Sequence, residues 1–518
     1  MTTTDTAPAL DPVAGTSTAP PGADVIAEHG RPEGHGVPGE HQGRLRSGAL
    51  GLMGNIGLAL ASAGPTVSIA LTLGTLVWAT GRPSYASPIT ILIIALPMLC
   101  IAAAFKYLNR THVNCGATFM WGAKAVSPYF GFMVGWVIFL CYSVGVVSVS
   151  VLISSNVLSL FTDGDYSVWQ AVIATVSIAA ITGVAYIGIR VAAWLQWVLI
   201  AIEYAGLVVL AVLSFIAMAH HAGGAVSPSW SWFSWHELGG VSGFIAGALV
   251  AVFMYSGWDS GIMVNEETQN PTETPGNAVM LSVGALAFLF AFFTFSFQGA
   301  VPADALAEHG DSAVAYIAQE VGGTGLAKYM ILSIALSAIG STLATLVSAV
   351  REVFAMGADG VLPRALGTTH PRLRTPKVAT ILIGAFCLIG TWIYVLGSAG
   401  VKNSFDTIVS VDGLLFSLFY TFTGVTMVVY FRKEAVRGFK KLFLLLVFPL
   451  LATLFLIFIC LKSVPDLGGW TGGSMIAVYI MLGIGLLVMI GVRLRNQTDY
   501  FAIQRDVFVE PVESARPE

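Results

Sequence analysis

Three carboxylates stand inside apolar runs of this chain. Glu203 sits in "WLQWVLIAIEYAGLVVL" (194–210), Asp259 in "MYSGWDSGIMVNEETQNP" (254–271), and Asp412 in "VSVDGLLFSLFY" (409–420). A charged side chain at the centre of a bilayer costs about 3 kcal/mol even on insertion scales, so an ionisable group there is functional by default. At helical spacing Gln196, Glu203 and Gly206 share one face and Trp194 lies opposite. Glu203 is therefore expected to face a protein interior, where a carboxyl can take up and release a proton. Asp259 has two readings, a partner for a substrate amine or a cap for a helix that restarts beside it. For Asp412 the expectation is a structural polar contact.

The surroundings of Asp259 are as informative as the carboxylate. An apolar run reaches Tyr255 and then meets Ser256, Gly257, Trp258, Asp259, Ser260 and Gly261. A second run, "GNIGLALASAGPTVSIALTLG" (54–74), is interrupted at Ser62-Ala63-Gly64-Pro65-Thr66. Proline removes a backbone donor and clashes with the preceding turn, and glycine makes an unwound turn cheap. Unwound backbone at membrane depth is tolerated only where it lines a cavity or a protein interior. Its free amides attract a carboxylate and its free carbonyls attract a cation. A zwitterionic amino acid carries one of each.

Composition requires a membrane. Of 518 residues, 56% are hydrophobic and 10% charged, against about 25% charged in a soluble protein. A helix needs about 20 apolar residues to cross the hydrocarbon, and twelve segments qualify. They fall at roughly 49–78, 86–107, 128–160, 168–188, 191–218, 241–264, 276–300, 325–357, 376–398, 404–431, 440–463 and 472–493. The expected organisation is a disordered cytoplasmic tail (1–48), a first repeat of five helices (49–218), a second of five (241–431), two further helices (439–495), and a cytoplasmic tail (499–518). One interruption opens each set of five, the pattern of a transporter built from inverted repeats.

With the N-terminus inside, only Arg82, Lys328, Lys402 and Lys462 among the 25 Lys and Arg residues fall outside. That bias supports both termini in the cytoplasm of a multi-pass plasma-membrane protein. Glu266 and Glu267 end the sixth segment among inner-side arginines, so a gate with Arg351 or the 364–374 cluster competes with a solvated charge cluster. Ser333, Ser337, Ser341, Thr345 and Ser348 form a polar stripe on the eighth helix, read either as close packing or as the wall of a pathway. The five cysteines (Cys100, Cys115, Cys141, Cys387, Cys460) lack metal or disulfide spacing. His29, His35 and His41 belong to a solvated tail. There is no His-Glu-x-x-His, no Gly-x-x-x-x-Gly-Lys-Ser/Thr and no Gly-x-Ser-x-Gly, which argues against metalloprotease, ATP-driven and serine-nucleophile chemistry.

Three stretches resemble the amino acid–polyamine–organocation permease family, whose members have the LeuT-type fold. They are "CGATFMWGAKAVSPYFGFMVGW" (115–136), "FMYSGWDSGIMVNEETQNPTETPGNAV" (253–279), and "REVFAMGADGVLP" with "HPRLRTPKVA" (351–379). The resemblance covers roughly residues 49 to 495. It implies an all-α protein of twelve transmembrane helices, a 5+5 inverted repeat plus two. It also implies a secondary active transporter, not an enzyme, that holds its substrate with Ser62, Ala63, Gly64, Pro65 and Thr66 and with Tyr255, Ser256, Gly257, Trp258 and Asp259. A cation site between the first and eighth helices would fall near Ser341 and Thr342. Some proton-coupled members carry a lysine where this chain resembles them at Glu203, and the first break reads Ser-Ala-Gly-Pro instead of the common Gly-x-Gly. The expected activity is amino acid symport with H+, without a cofactor and without nucleic acid. A polyamine or other organic-amine carrier, an exchanger and an amino-acid sensor stay open, as does the oligomeric state.

Overall fold

The computed structural model describes residues 45–79, 81–161, 167–397, 404–465, 468–495 and 498–506. Most of both expected tails, with His29, His35 and His41, lies outside the described residues, as does Lys402. The architecture is all-α, and the described residues contain no strand, only one isolated bridge between Leu50 and Thr268. Twelve helical segments are long and apolar enough to cross a membrane. They are Leu52–Trp78, Ser87–Thr111, Pro128–Ser159, Val168–Ile187, Ile189–His220, Gly240–Glu267, Thr274–Gln298, Ala303–Ala358, Lys377–Gly397, Ile408–Ala435, Phe439–Lys462 and Gly473–Arg495. An even number of crossings puts both ends of the described chain on one face, called here the terminal face.

Most ends match the sequence reading within a few residues. The eighth differs: helix was expected over 325–357, but helical structure begins at Ala303. The added part carries Asp304, Glu308, Asp311 and Glu320, too polar to count as a span, and Gly323 (φ 76°) breaks it from the helix that follows. It folds over the end of the first span. A Cβ at Gly74 would lie 2.6 Å from the Gly310 carbonyl oxygen and 2.7 Å from that of Leu306, so only glycine fits there.

The first span is two helices, Leu52–Ala63 and Pro65–Trp78. Gly64 joins them in the left-handed region (φ 52°, ψ 69°), its amide donating to the carbonyls of Leu60 and Ala61. Pro65 opens the second helix, where its missing N–H would have had no acceptor. The sixth span breaks differently. Its α-helix ends at Met254, Gly257 takes φ 91°, and only two short 3-10 turns follow, Trp258–Gly261 and Asn265–Glu267.

The two breaks pack on each other, which answers why glycine recurs here. A Cβ on Gly257 would lie 2.8 Å from Ser62 Oγ, and one on Gly261 would lie 3.1 Å from the Asn55 carbonyl oxygen. The buried Asn55 side chain donates to the Gly261 carbonyl at 2.9 Å.

Both ends of the described chain return to the terminal face. Leu50 N donates to the Glu267 carbonyl and Gln269 N to the Leu50 carbonyl, at 3.0 and 2.7 Å. Residues 499–506, expected as the start of a polar tail, are docked instead. Tyr500 is buried and stacks on Phe119 at 5.0 Å between ring centroids. The reason is aromatic: Tyr500 and Phe501 carry enough apolar area to hold a short segment down.

Candidate functional site

Asp259 is fully buried. Its carboxylate accepts hydroxyl hydrogen bonds from Tyr142 of the third span and from Tyr420 of the tenth, the latter at 2.7 Å. Tyr420 Oη in turn accepts from the freed amide of Gly257 at 3.2 Å. Both oxygens of Asp259 are thus engaged by side chains of other spans. Trp258 stacks on Tyr420 with ring centroids 5.2 Å apart, meets Phe105 edge-on, and leaves its Nε1 without a hydrogen-bond partner. Tyr255 turns its hydroxyl to the Ile91 carbonyl of the second span. Ser256 donates its amide to the Phe253 carbonyl.

The first break meets the eighth span. Ser260 Oγ donates to Ser62 Oγ at 2.8 Å, and Thr345 Oγ1 lies 3.4 Å from the same Ser62 oxygen. Ser341 Oγ donates to the Ser62 carbonyl at 2.7 Å, and the Val67 amide donates to Ser337 Oγ. Three members of the polar stripe thus engage the opened turn, which close packing alone would not require. Thr342 donates back to Ala338 within its own helix. A Cβ at Gly64 would press on Val67 at 2.7 Å and on Ser341 at 3.3 Å. Ser68 Oγ takes up the Ala63 carbonyl, and Thr66 is buried with its hydroxyl unpartnered.

Glu203 is 1% exposed, whereas Trp194 is 67% exposed on the opposite side of the helix. The carboxyl group faces the Thr66 and Ser337 hydroxyls and the Thr66 amide, one residue beyond Pro65. Its Oε2 has no hydrogen-bond partner. The arrangement links a titratable group on the fifth span to the opened turn of the first through one shared neighbour on the eighth.

Asp412, expected as a structural polar contact, lies in the tenth span. It is buried, and its Oδ1 has no hydrogen-bond partner among the described residues.

On the terminal face the arginine cluster divides. Arg351 Nε donates to Glu267 Oε2 at 2.9 Å with both side chains buried, so these two are not a solvated cluster. Two guanidinium nitrogens of Arg351 and Oε1 of Glu267 are left without partners. Glu266 accepts from the Cys115 amide at 3.1 Å. Arg364, Arg372 and Arg374 are exposed.

Beside this pair runs a relay that the sequence did not reveal. Lys124 Nζ lies 3.2 Å from His112 Nδ1, His112 Nε2 lies 3.1 Å from Tyr430 Oη, and Tyr430 Oη donates to Asp506 Oδ2 at 3.4 Å. Burial, followed by the Lys124 charge, holds His112 down at about 4. With Lys124 donating to Nδ1, the neutral ring carries its proton on Nε2 and gives it to Tyr430.

A family model described as amino acid permease matches residues 50–487. An uncharacterised transporter of Mycobacterium tuberculosis is 27% identical over 57% of this chain, which covers 63% of that relative's length. The low-affinity putrescine importer PlaP of Escherichia coli is 24% identical over 69% of the chain and 77% of its own length. The branched-chain amino acid permease BcaP of Bacillus subtilis is 25% identical over 78% of the chain and 86% of its own.

Proposed function

The chain belongs to the amino acid permease family, and on that premise we propose that it is a proton-coupled secondary carrier of amino acids or related amines. It works by alternating access in the plasma membrane, with the terminal face in the cytoplasm. The observation that carries this reading is Glu203, a carboxyl group buried in the fifth span and set against Thr66 at the first break. A proton gained or lost there alters the hydrogen bonding open to Thr66 and Ser337, and through them the geometry of the opened turn. Substrate and proton thereby bias the same element.

The remaining groups have roles in the same scheme. Gly64 and Gly257 hold the backbone open. The hydroxyl ladder Ser260–Ser62–Thr345 gives polar contacts, and the buried Glu267–Arg351 pair closes the terminal face. Arg351, Arg364, Arg372, Arg374 and Lys377 gather on that face, which supports its cytoplasmic placement.

The test is uptake into proteoliposomes under an inward proton gradient without sodium, with wild type and Glu203→Gln. Saturable uptake that collapses with the gradient is expected of wild type. Glu203→Gln should lose accumulation and keep exchange of labelled for unlabelled substrate. Full gradient-driven accumulation by Glu203→Gln would remove the coupling role.

A further inference from the structure

Two buried aspartates, Asp259 and Asp412, stand on the sixth and tenth spans, and they are not equivalent. Asp259 has its oxygens taken by the Tyr142 and Tyr420 hydroxyls. Asp412 lies one turn further along the third span: a Cβ at Gly145 would sit 3.6 and 3.7 Å from its two carboxylate oxygens and 3.4 Å from Thr345 Cγ2. Tyr142 and Gly145 are three residues apart and so share a helix face, which brings both carboxylates to one side of the third span.

Among the described residues no lysine, arginine or histidine pairs with Asp412 and no donor reaches its Oδ1. From the third span Cys141 and Gly145 face it, and Thr345 of the eighth turns its Cγ2 methyl to the same face of Gly145. Its neighbour Gly413 lies against Phe253 of the sixth. Thr345 also touches Ser62 at the first break, so it joins the neighbourhood of Gly145 and Asp412 to the cluster at the opened turns. Buried without a partner, this carboxyl group can carry charge only against a cation that the chain does not supply. The space over Gly145 is the size of one methyl group, in ordinary contact with both Asp412 oxygens, and so matches a single ammonium nitrogen.

We propose that Asp412, Thr345 and the open face of Gly145 form a subsite for a primary ammonium group of the substrate. The cargo is then a diamine or a diamino acid, and a neutral amino acid is a poor ligand. Asp412 supplies the counter-charge for the amine remote from the opened turns. The inference rests on the carrier reading above.

The test is equilibrium binding of labelled putrescine, L-lysine and L-leucine to the purified full chain in nanodiscs at neutral pH. Wild type is compared with Asp412→Asn, Asp412→Glu and Gly145→Ala. The last adds a methyl group at ordinary contact distance and fills the gap without removing the charge, so it reports even if Asp412→Asn does not fold. Putrescine or L-lysine should bind wild type about tenfold or more tighter than L-leucine. Asp412→Asn should lose about tenfold or more of that affinity, Gly145→Ala should lose part of it, and Asp412→Glu should retain more than the asparagine. Which of the two cationic ligands binds tells diamine from diamino acid. L-leucine as the tightest ligand overturns the subsite and leaves the carrier. Unchanged cation affinity in both Asp412→Asn and Gly145→Ala also overturns it, including the case where only gradient-driven accumulation is lost and Asp412 is a proton carrier. Binding of none of the three to wild type overturns the subsite together with the carrier reading.

Discussion

Tyr420 holds Asp259 and Gly257 at once, donating to the carboxylate at 2.7 Å and accepting from the glycine amide at 3.2 Å. One hydroxyl from the tenth span therefore ties down both the charge and the opened backbone of the sixth. Tyr420→Phe keeps the ring that stacks on Trp258 and deletes only the tie. Leaving a buried donor unmade costs about 1–3 kcal/mol, so KM for uptake should rise roughly tenfold with protein yield little changed. An unchanged KM would place Tyr420 outside the substrate's surroundings.

Gly64 and Gly257 make a sharper case. Both have positive φ, and an added Cβ would strike Val67 at 2.7 Å or Ser62 Oγ at 2.8 Å. Gly64→Ala and Gly257→Ala should each lose most uptake. Gly183→Ala, where nothing lies within 4 Å of the new atom, should transport as wild type does. Uptake retained by both of the first two variants would mean that the breaks are not part of the transport path.

These breaks also mark where sequence reading succeeds and where it stops. Local signals were enough for the twelve spans, because a run of about 20 apolar residues is a property of the stretch itself. They were enough for Gly64-Pro65 and Gly257, because backbone permissiveness is also local. The partners of Asp259 are not local. Tyr142 and Tyr420 lie 117 and 161 residues away, each in an apolar run that reads as ordinary membrane helix. The same holds for Asp506, whose place beside Lys124 depends on Tyr500 finding Phe119. The tight turns after Gly257 were missed for another reason: helix and 3-10 turn share most of their sequence preferences, and packing against Asn55 decides between them.

The Glu267–Arg351 pair gives a stability prediction. Removing one partner of a buried ion pair strands the other and costs about 3–5 kcal/mol, whereas replacing both with apolar residues is often neutral. Glu267→Leu and Arg351→Met should each lower the melting temperature in detergent, and the double variant should recover much of the loss. Recovery of melting without recovery of uptake would separate the pair's role in closure from its role in folding. Additive losses in the double variant would rule out coupling between the two.

The Lys124–His112–Tyr430–Asp506 relay predicts a pH dependence at the terminal face. His112 is held at about 4 in the fold against an ordinary value near 6.5. Between those values the unfolded or undocked state binds more protons than the docked one. The contribution of neutral His112 is therefore complete above pH 6.5 and is lost as pH falls toward 4. The protection factors of the amides of residues 498–506, with the slower intrinsic exchange at low pH divided out, should fall as pH drops from 7 to 5, and His112→Gln, which cannot charge, should flatten that response. Equal pH dependence in the variant would assign the effect to another group.

Leu50 gives the Glu267 closure a consequence outside the membrane. Its amide takes the Glu267 carbonyl and its own carbonyl takes the Gln269 amide, so the chain before the first span is fastened to the main chain directly beneath the ion pair. Tension, a bulky fusion or a bound protein pulling at residue 50 is delivered by two hydrogen bonds to the stretch 267–269, which carries one half of the ion pair.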